Sequence, residues 1–175
     1  MVVSKLLMDN DGFIALTDGD EEAMGLLDQN LLDPYNEIDQ NRVKATFLRW
    51  NENLETFDDW CRTHECCRMN SNSNTTTTKD QEEHDKIEFD ILLAGDVMYK
   101  KELPELFFKT AQHYLSQNGV LWLCHVPRST VTHQVVIDAA EAAGFSIRIV
   151  DTKDVVVQDC PKEDLERAVV YKITR

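Results

Sequence analysis

Short apolar runs rich in β-forming residues alternate along this chain with segments whose apolar residues recur at helical spacing. The runs cover residues 13–17, 43–48, 89–94, 119–126, 145–150 and 169–174. Helical patterns occupy residues 21–33, 103–115 and 130–144. Strands that are separated by helices form open sheets with helices on both faces. The sequence therefore predicts an α/β fold.

The composition of the runs predicts their places in the sheet. Residues 89–94 are almost continuously apolar, which is typical of a strand covered on both faces. The most apolar run, residues 119–126, is expected at the centre, and Asn118 and Gly119 before it are expected to stop a helix. The last two runs have no long helical segment between them, which predicts a C-terminal antiparallel hairpin.

The first helix has a clear start signal. Asp20 is a typical N-cap residue, and it is followed by two acidic residues in the first turn, where the helix dipole favours them. Ala23, Leu26, Leu27 and Leu31 share one face at helical spacing, so we expect this face to be buried.

A polar, low-complexity tract interrupts the pattern at about residues 68–86. The tract is almost free of apolar side chains and cannot bury enough surface to offset its ordering entropy. The strand and helix pattern resumes after it without a change of character. We therefore predict one domain over residues 1–175, with a disordered insertion in a loop.

Charge and hydropathy limit the class of partner. A net charge of −14 argues against nucleic acids and anionic membranes as ligands. No apolar run reaches the roughly 18 residues of a membrane-spanning helix, and the first residues lack the pattern of a signal peptide. We expect a cytoplasmic protein, with the nucleus as the alternative location.

The cysteines do not predict a metal site. The chain has five, and no pair has the CxxC spacing of a zinc or redox centre. Cys61, His64, Cys66 and Cys67 cluster in the sequence, but the cluster runs directly into the polar tract. We favour reduced cytosolic thiols over a zinc site and predict no bound metal.

Several segments together resemble a known enzyme family. These are TDGDEEA at residues 17–23, LRW at 48–50, FDILLAGDVMY at 89–99 and the terminal hairpin. They are similar to the seven-β-strand, class I protein-lysine methyltransferases, which carry a D/E-x-x-Y motif after the fourth strand, and above all to calmodulin-lysine N-methyltransferase-like proteins. The resemblance covers residue 15 to the C-terminus, apart from the insertion. It implies a Rossmann-like sheet, S-adenosylmethionine as cofactor, and a monomer that methylates a lysine of a protein substrate.

Three residues at strand ends are candidates for cofactor binding. The two carboxylate oxygens of Asp18 can accept hydrogen bonds from ribose hydroxyls, although Asp18 could instead only shape the turn. Trp50 could flank adenine or attract the sulfonium, with ordinary packing as the alternative. Gly95 would let the backbone approach a ligand closely, and the resemblance places it at the cofactor.

The motif pair Asp96 and Tyr99 would act on the substrate. Asp96 could orient the incoming lysine ammonium, and Tyr99 could bound the channel and hydrogen-bond the nitrogen. The alternative is that Asp96 caps a turn and Tyr99 packs. His125 and Arg128 follow the central run and could line the substrate entrance, with simple loop-forming roles equally open.

The family also has a first strand that ends in an acidic, glycine-rich loop at the cofactor's methionine. This sequence has no such loop, and residues 1–7 resemble the tail of the helix that follows it. We interpret the chain as N-terminally truncated, with the central first strand missing and its own activity not assured. Two other functions stay open, a non-catalytic interaction module on the same sheet and a small-molecule methyltransferase.

Overall fold

The computed structural model describes residues 12–64, 86–150 and 166–175. Six strands and four α-helices lie in these residues, with one short 3-10 helix at Pro34–Asn36. The strands are β1 (Ile14–Asp18), β2 (Val43–Phe47), β3 (Phe89–Gly95), β4 (Leu115–His125), β5 (Ser146–Val150) and β6 (Val169–Thr174). The helices are α1 (Glu21–Leu32), α2 (Leu54–Thr63), α3 (Leu103–Tyr114) and α4 (His133–Ala142).

The chain divides into two compact units at residues 87 and 88. The predicted insertion lies outside the described residues apart from Lys86, so its disorder stays a prediction, as does the single domain. No helix in the described part of the chain is both long and apolar enough to span a membrane.

The first unit contains a parallel pair of strands. β1 and β2 run side by side from Ile14 opposite Val43 to Asp18 opposite Phe47. Its small core includes Val43, Leu48, Phe57 and Cys61, all of which are buried. Two of these core residues come from β2 and the segment after it, so the packing fixes the end of β2.

Helix α1 begins as predicted and is less buried than predicted. The Asp20 side chain accepts a hydrogen bond from the Ala23 N–H at 3.0 Å, which confirms the N-cap. No residue of α1 is fully buried, however, and Leu26 is 61% exposed. The expected apolar face is therefore wrong at Leu26. Helical spacing places a side chain on a face, but the neighbouring layer decides whether that face is covered.

Helix α2 was not predicted. Leu54, Phe57 and Cys61 nevertheless recur at helical spacing along it, and the latter two are buried. Trp60 stacks on Phe57 with ring centroids 5.9 Å apart, and its ring centroid lies 6.3 Å from that of Phe13. Polar residues between these positions made the helical spacing of the apolar residues hard to recognise in the sequence.

The second unit contains a four-stranded sheet in the order β3-β4-β6-β5. β3 and β4 are parallel, and β6 is antiparallel to both β4 and β5. The prediction that residues 119–126 form an internal strand is confirmed, and so is the antiparallel pairing of the last two strands. Because β6 lies between β4 and β5, the C-terminal strand is an internal strand of the sheet.

One face of this sheet carries the core of the unit. Leu121, Leu123, Tyr171 and Ile173 are buried on it, together with residues of α3 and α4. The helix contribution consists of Phe107, Phe108, Ala111, Val136 and Ala140. Gly144, with a φ of 79°, follows α4 and ends it as expected.

Two expectations for this unit are wrong. β3 is not covered on both faces, because Ile91 and Leu93 are 55% and 53% exposed. Helix α3 stops at Tyr114, before the predicted Asn118 and Gly119, and those two residues already belong to β4. The extra strand residues coincide with an irregular register between β3 and β4, which the periodicity of the sequence does not reveal.

The strands that the structure describes form two separate ladders, β1-β2 and β3-β4-β6-β5. Within these residues β1 and β3 are not hydrogen-bonded neighbours. Each unit therefore has its own pair of parallel strands with a carboxyl edge. The candidate site residues predicted from the sequence lie at these two edges.

Candidate functional site

Asp18 is the last residue of β1, and its carboxylate is partly used by the turn that follows. One oxygen, Oδ1, accepts a hydrogen bond from the Asp20 N–H at 2.9 Å. The side chain is exposed, and no hydrogen bond from the described residues engages its second oxygen. Asp18 thus shapes the turn, as the alternative interpretation expected, and keeps an oxygen with which it could bind a ligand hydroxyl.

The turn after β1 is fastened to the end of β2. The Leu48 N–H donates to the Asp18 carbonyl at 2.9 Å, and Arg49 Nε donates to the Gly19 carbonyl at 3.3 Å. A Cβ on Gly19 would lie 3.3 Å from Arg49 Cγ, a contact tighter than usual. Glycine at this position therefore lets the two strand ends approach each other.

Trp50 lies beyond the end of β2 and not at its last residue. The strand stops at Phe47, and Trp50 occupies a turn whose next residue, Asn51, has a left-handed φ of 59°. The indole is half-buried. Because β1 and β2 are parallel, Asp18 and Trp50 both follow the carboxyl edge of the same two-stranded sheet, as predicted.

Gly95 ends β3 in the second unit. A Cβ built on this residue meets no atom within 4 Å, so the space beside it is open. The glycine pairs with Cys124 of β4 in the parallel register. No neighbouring atom of the chain requires glycine at this position. The open space is compatible with a ligand that approaches the backbone of Gly95.

Asp96 follows directly and has an unusual backbone conformation. Its φ is 49°, in the left-handed region that residues other than glycine seldom adopt, with asparagine and aspartate the most frequent exceptions. The Asp96 N–H donates to the Cys124 carbonyl at 2.8 Å, which holds the residue against the end of β4. Strained backbone of this kind costs about 1–3 kcal/mol and concentrates at functional sites.

The Asp96 carboxylate is paired with Arg128 in the loop after β4. Arg128 Nη2 donates to Asp96 Oδ2 at 2.5 Å, and both side chains are partly exposed. The other oxygen, Oδ1, is shielded from solvent and has no hydrogen-bond partner among the described residues. Arg128 was one of the residues considered for the substrate entrance, and the structure places it beside Asp96.

Tyr99 is exposed, with 59% of its surface accessible. The ammonium of Lys100 lies 5.8 Å from the centre of its ring, within the range of a cation–π contact. The phenol ring is therefore open to solvent and already has a cation near it. Packing into a core, the alternative interpretation of Tyr99, does not describe its surroundings.

His125 does not line an entrance, and that expectation is wrong. It is the last residue of β4, and its ring is fully buried. Nε2–H donates to the Val131 carbonyl at 3.2 Å, while Nδ1 is buried without a hydrogen-bond partner in the described part of the chain. Burial lowers the pKa of His125, and the hydrogen bond to Val131 opposes this effect only in part.

The sequence did not reveal a partly buried pair beside His125. The Tyr171 hydroxyl and His133 Nδ1 share a hydrogen bond of 2.8 Å, and the rings of His125 and His133 are 5.5 Å apart. Burial raises the pKa of Tyr171. Tyr171 and His133 lie 38 residues apart, so no local pattern could have joined them.

The five selected residues thus fall into two groups. Asp18 and Trp50 lie at or beyond the ends of β1 and β2 in the first unit, whereas Gly95, Asp96 and Tyr99 lie at or beyond the end of β3 in the second. Within the described ranges no three histidine, cysteine or acidic side chains are arranged to hold a metal ion. Cys66 and Cys67 of the sequence cluster lie outside those ranges.

Comparison with known proteins finds likeness in structure alone. No protein-family model matches the sequence, and no curated protein matches it. Among solved structures, the TehB-like SAM-dependent methyltransferase from Corynebacterium glutamicum aligns with a TM-score of 0.56 at 14% identity, covering 99% of this chain and 73% of that one.

Two further solved structures show a similar likeness in fold. Precorrin-6Y C5,15-methyltransferase from Geobacter metallireducens gives a TM-score of 0.54 at 12% identity over 94% of this chain and 68% of that one. The fibrillarin pre-rRNA processing protein of Methanococcus jannaschii gives 0.54 at 12% identity, over 93% of this chain and 56% of that one. The chain has the Rossmann-like α/β fold of the class I methyltransferases.

Proposed function

We propose that this chain is an S-adenosylmethionine-dependent methyltransferase whose acceptor is a lysine side chain of a protein. The observation that carries the proposal is the motif pair beyond β3, where Asp96 has a left-handed backbone and Tyr99 an exposed ring. Open α/β sheets bind ligands beyond the carboxyl ends of their strands. A fold does not determine a reaction, so the proposal depends on these residues more than on the likeness in fold.

Within each unit by itself, residues at the strand ends have chemistry that suits a part of the proposed cofactor. In the first unit, Asp18 has a carboxylate oxygen left for a ribose hydroxyl, and Trp50 carries the kind of aromatic ring that can flank adenine. In the second unit, the open space beside Gly95 admits a ligand close to the backbone. When bound, S-adenosylmethionine supplies a methyl group on a sulfonium.

Asp96 and Tyr99 would prepare the acceptor. An amine attacks in line, so the protein must hold its nitrogen about 3 Å from the methyl carbon. A free lysine has a pKa of about 10.4 and is almost entirely protonated at neutral pH. A carboxylate next to it stabilises the ammonium, so Asp96 orients the lysine and does not act as the base. The exposed Tyr99 ring bounds the channel and attracts the cation.

Protein is the substrate class that the charge of the chain favours over RNA. One of the compared structures is a pre-rRNA processing protein, but a net charge of −14 repels a polyanion. Another acts on a precorrin, so a small-molecule acceptor is the second candidate. We further propose that the protein works as a monomer in the cytoplasm or nucleus.

The test is transfer of a labelled methyl group. The chain and its Asp96→Ala variant are each incubated with cell extract and labelled S-adenosylmethionine, and labelled products are separated by size and analysed by mass spectrometry. We expect label on a lysine of a protein with the wild type and none with Asp96→Ala. Tyr99→Phe should retain part of the activity, because the ring remains while its hydroxyl is lost.

Other outcomes would redirect the proposal. Label confined to the low-mass fraction would replace the protein substrate by a small molecule. Wild-type protein that transfers no label and binds no cofactor would leave the non-catalytic interaction module as the better function. Equal methyl transfer by the wild type and Asp96→Ala would show that Asp96 has no role in the reaction.

A further inference from the structure

The two oxygens of the Asp96 carboxylate have different surroundings. Oδ2 accepts a short hydrogen bond from Arg128 Nη2, at 2.5 Å. Oδ1 is shielded and finds no donor within the described residues. An ionised carboxylate can accept about four hydrogen bonds, and a shielded oxygen that accepts none is uncommon. Because Oδ1 is shielded, a donor from solvent meets Asp96 on the part of its side chain that is exposed, beside Arg128.

The backbone on the Asp96 side is fixed. Its N–H is bound to the Cys124 carbonyl at 2.8 Å, and its left-handed φ of 49° follows a strand that is in register with β4. The residue therefore has little freedom to move as a whole. What remains free is rotation of the carboxylate about its own axis, and the bond to Arg128 limits that rotation.

The backbone on the Arg128 side is fixed as well. Arg128 and Val131 exchange two backbone hydrogen bonds of 3.0 and 3.2 Å, which close the loop after β4 into a turn. Arg167 Nη2 donates to the Pro127 carbonyl at 2.9 Å and ties this loop to the residues just before β6. The guanidinium thus reaches Asp96 from a held loop and not from a free one.

We propose that Arg128 is a positioning residue, which holds Oδ2 of Asp96 and so keeps the exposed part of the carboxylate in place as the acceptor for the substrate ammonium. The inference rests on the proposed function and adds to it the arrangement of the acceptor site. An ammonium carries three donors and a positive charge, which suits a carboxylate that accepts one bond from arginine and can accept more. Arginine and substrate then occupy the carboxylate at the same time.

A rival role for Arg128 makes the opposite prediction. If the guanidinium merely blocks Asp96, an incoming ammonium has to displace it, and the two cations never share the carboxylate. Removal of Arg128 would then ease substrate binding and leave the transfer step intact. If Arg128 positions the carboxylate, its removal leaves a rotating acceptor, and transfer slows although binding persists.

Nuclear magnetic resonance can separate the two roles without any methyl transfer. The probe is n-butylammonium chloride, which reproduces the end of a lysine side chain, titrated into the whole chain. The Asp96 carboxyl carbon is assigned by its loss in Asp96→Asn, and the Arg128 guanidinium by its loss in Arg128→Lys. We expect the carboxyl signal to shift and saturate while the guanidinium signal keeps its paired position.

Labelled methyl transfer to extract protein gives the second readout. Arg128→Gln should lower the rate at saturating substrate at least tenfold, since misplacement of a positioning group weakens an in-line reaction strongly. Arg128→Lys should recover part of that loss. Arg148→Gln, which removes an exposed arginine of β5, is the matched control and should transfer methyl groups like the wild type.

The outcomes distinguish this inference from the proposed function. Displacement of the Arg128 guanidinium by the amine, or an Asp96 carboxyl signal that does not respond, overturns the positioning role whatever the enzyme does. Full transfer activity in Arg128→Gln also overturns it. Wild-type protein that transfers no label contradicts the proposed function instead, and the titration still decides where the amine binds.

Discussion

Tyr171 on β6 and His133 at the start of α4 share a hydrogen bond of 2.8 Å, and the tyrosine is completely buried. The bond joins the C-terminal strand to the helix that covers the sheet. Tyr171→Phe keeps the ring but leaves His133 Nδ1 without its partner. We expect the free energy of unfolding to fall by about 1–2 kcal/mol, measured by chemical denaturation.

Tyr35 supplies the control for that change. It is 95% exposed, so Tyr35→Phe should alter the free energy of unfolding by less than about 0.5 kcal/mol. Equal stability of Tyr171→Phe and Tyr35→Phe would show that the hydrogen bond between Tyr171 and His133 contributes nothing.

The buried imidazole of His125 predicts a dependence of stability on pH. Burial lowers the pKa of His125 in the folded state below its value of about 6.5 in the unfolded chain, so the unfolded state binds the proton more readily. Stability is then complete above the unfolded pKa and is lost as the pH falls from about 6.5 toward the folded pKa. The melting temperature should drop between about pH 7.5 and pH 5.5.

His125→Gln keeps a donor near Val131 and removes the titration. Its melting temperature should change less than that of the wild type over the same pH range, as measured by calorimetry. A variant whose pH dependence matched the wild type would assign the effect to other groups.

Two glycines predict opposite effects of one substitution. A Cβ on Gly119 would lie 2.8 Å from Leu115 Cδ1 and 3.1 Å from the Asp90 carbonyl, where β3 and β4 pair irregularly. Gly119→Ala should therefore destabilise the protein by about 1–3 kcal/mol. Gly25 lies within α1 with open space around it, so Gly25→Ala should stabilise by up to about 1 kcal/mol. Thermal unfolding of the two variants checks both signs.

Local signals in the sequence were sufficient for the six strands and for some helix ends, although helix α2 was missed and the stop of α3 was misplaced. The alternation of strand-like and helix-like apolar patterns predicted β1 to β6. Asp20 predicted the start of α1, and Gly144 predicted the end of α4. These features depend on neighbours a few residues away. For the same reason the positions Asp18, Gly95 and Asp96 were found at strand ends, where parallel sheets carry their ligands.

Contacts between distant residues could not be predicted in this way. The pair of Arg128 and Asp96 spans 32 residues, and its geometry depends on the register of β3 with β4. The exposure of Ile91 and Leu93 has a related cause. An apolar pattern shows that a face can be buried, whereas coverage depends on the layer packed against it.

Binding of S-adenosylmethionine to the chain, measured by calorimetry, tests the central claim most directly. Asp18→Ala removes the proposed ribose acceptor and should weaken binding by ~1–3 kcal/mol, whereas Asp96→Ala should bind within several-fold of the wild type. Asp39→Ala is the matched control, because Asp39 accepts from the Asn41 N–H at 2.9 Å in a turn like that of Asp18, and it should bind like the wild type. The proposed cofactor site would be contradicted if the wild type did not bind S-adenosylmethionine. It would also be contradicted if Asp96→Ala lost binding while Asp18→Ala retained it.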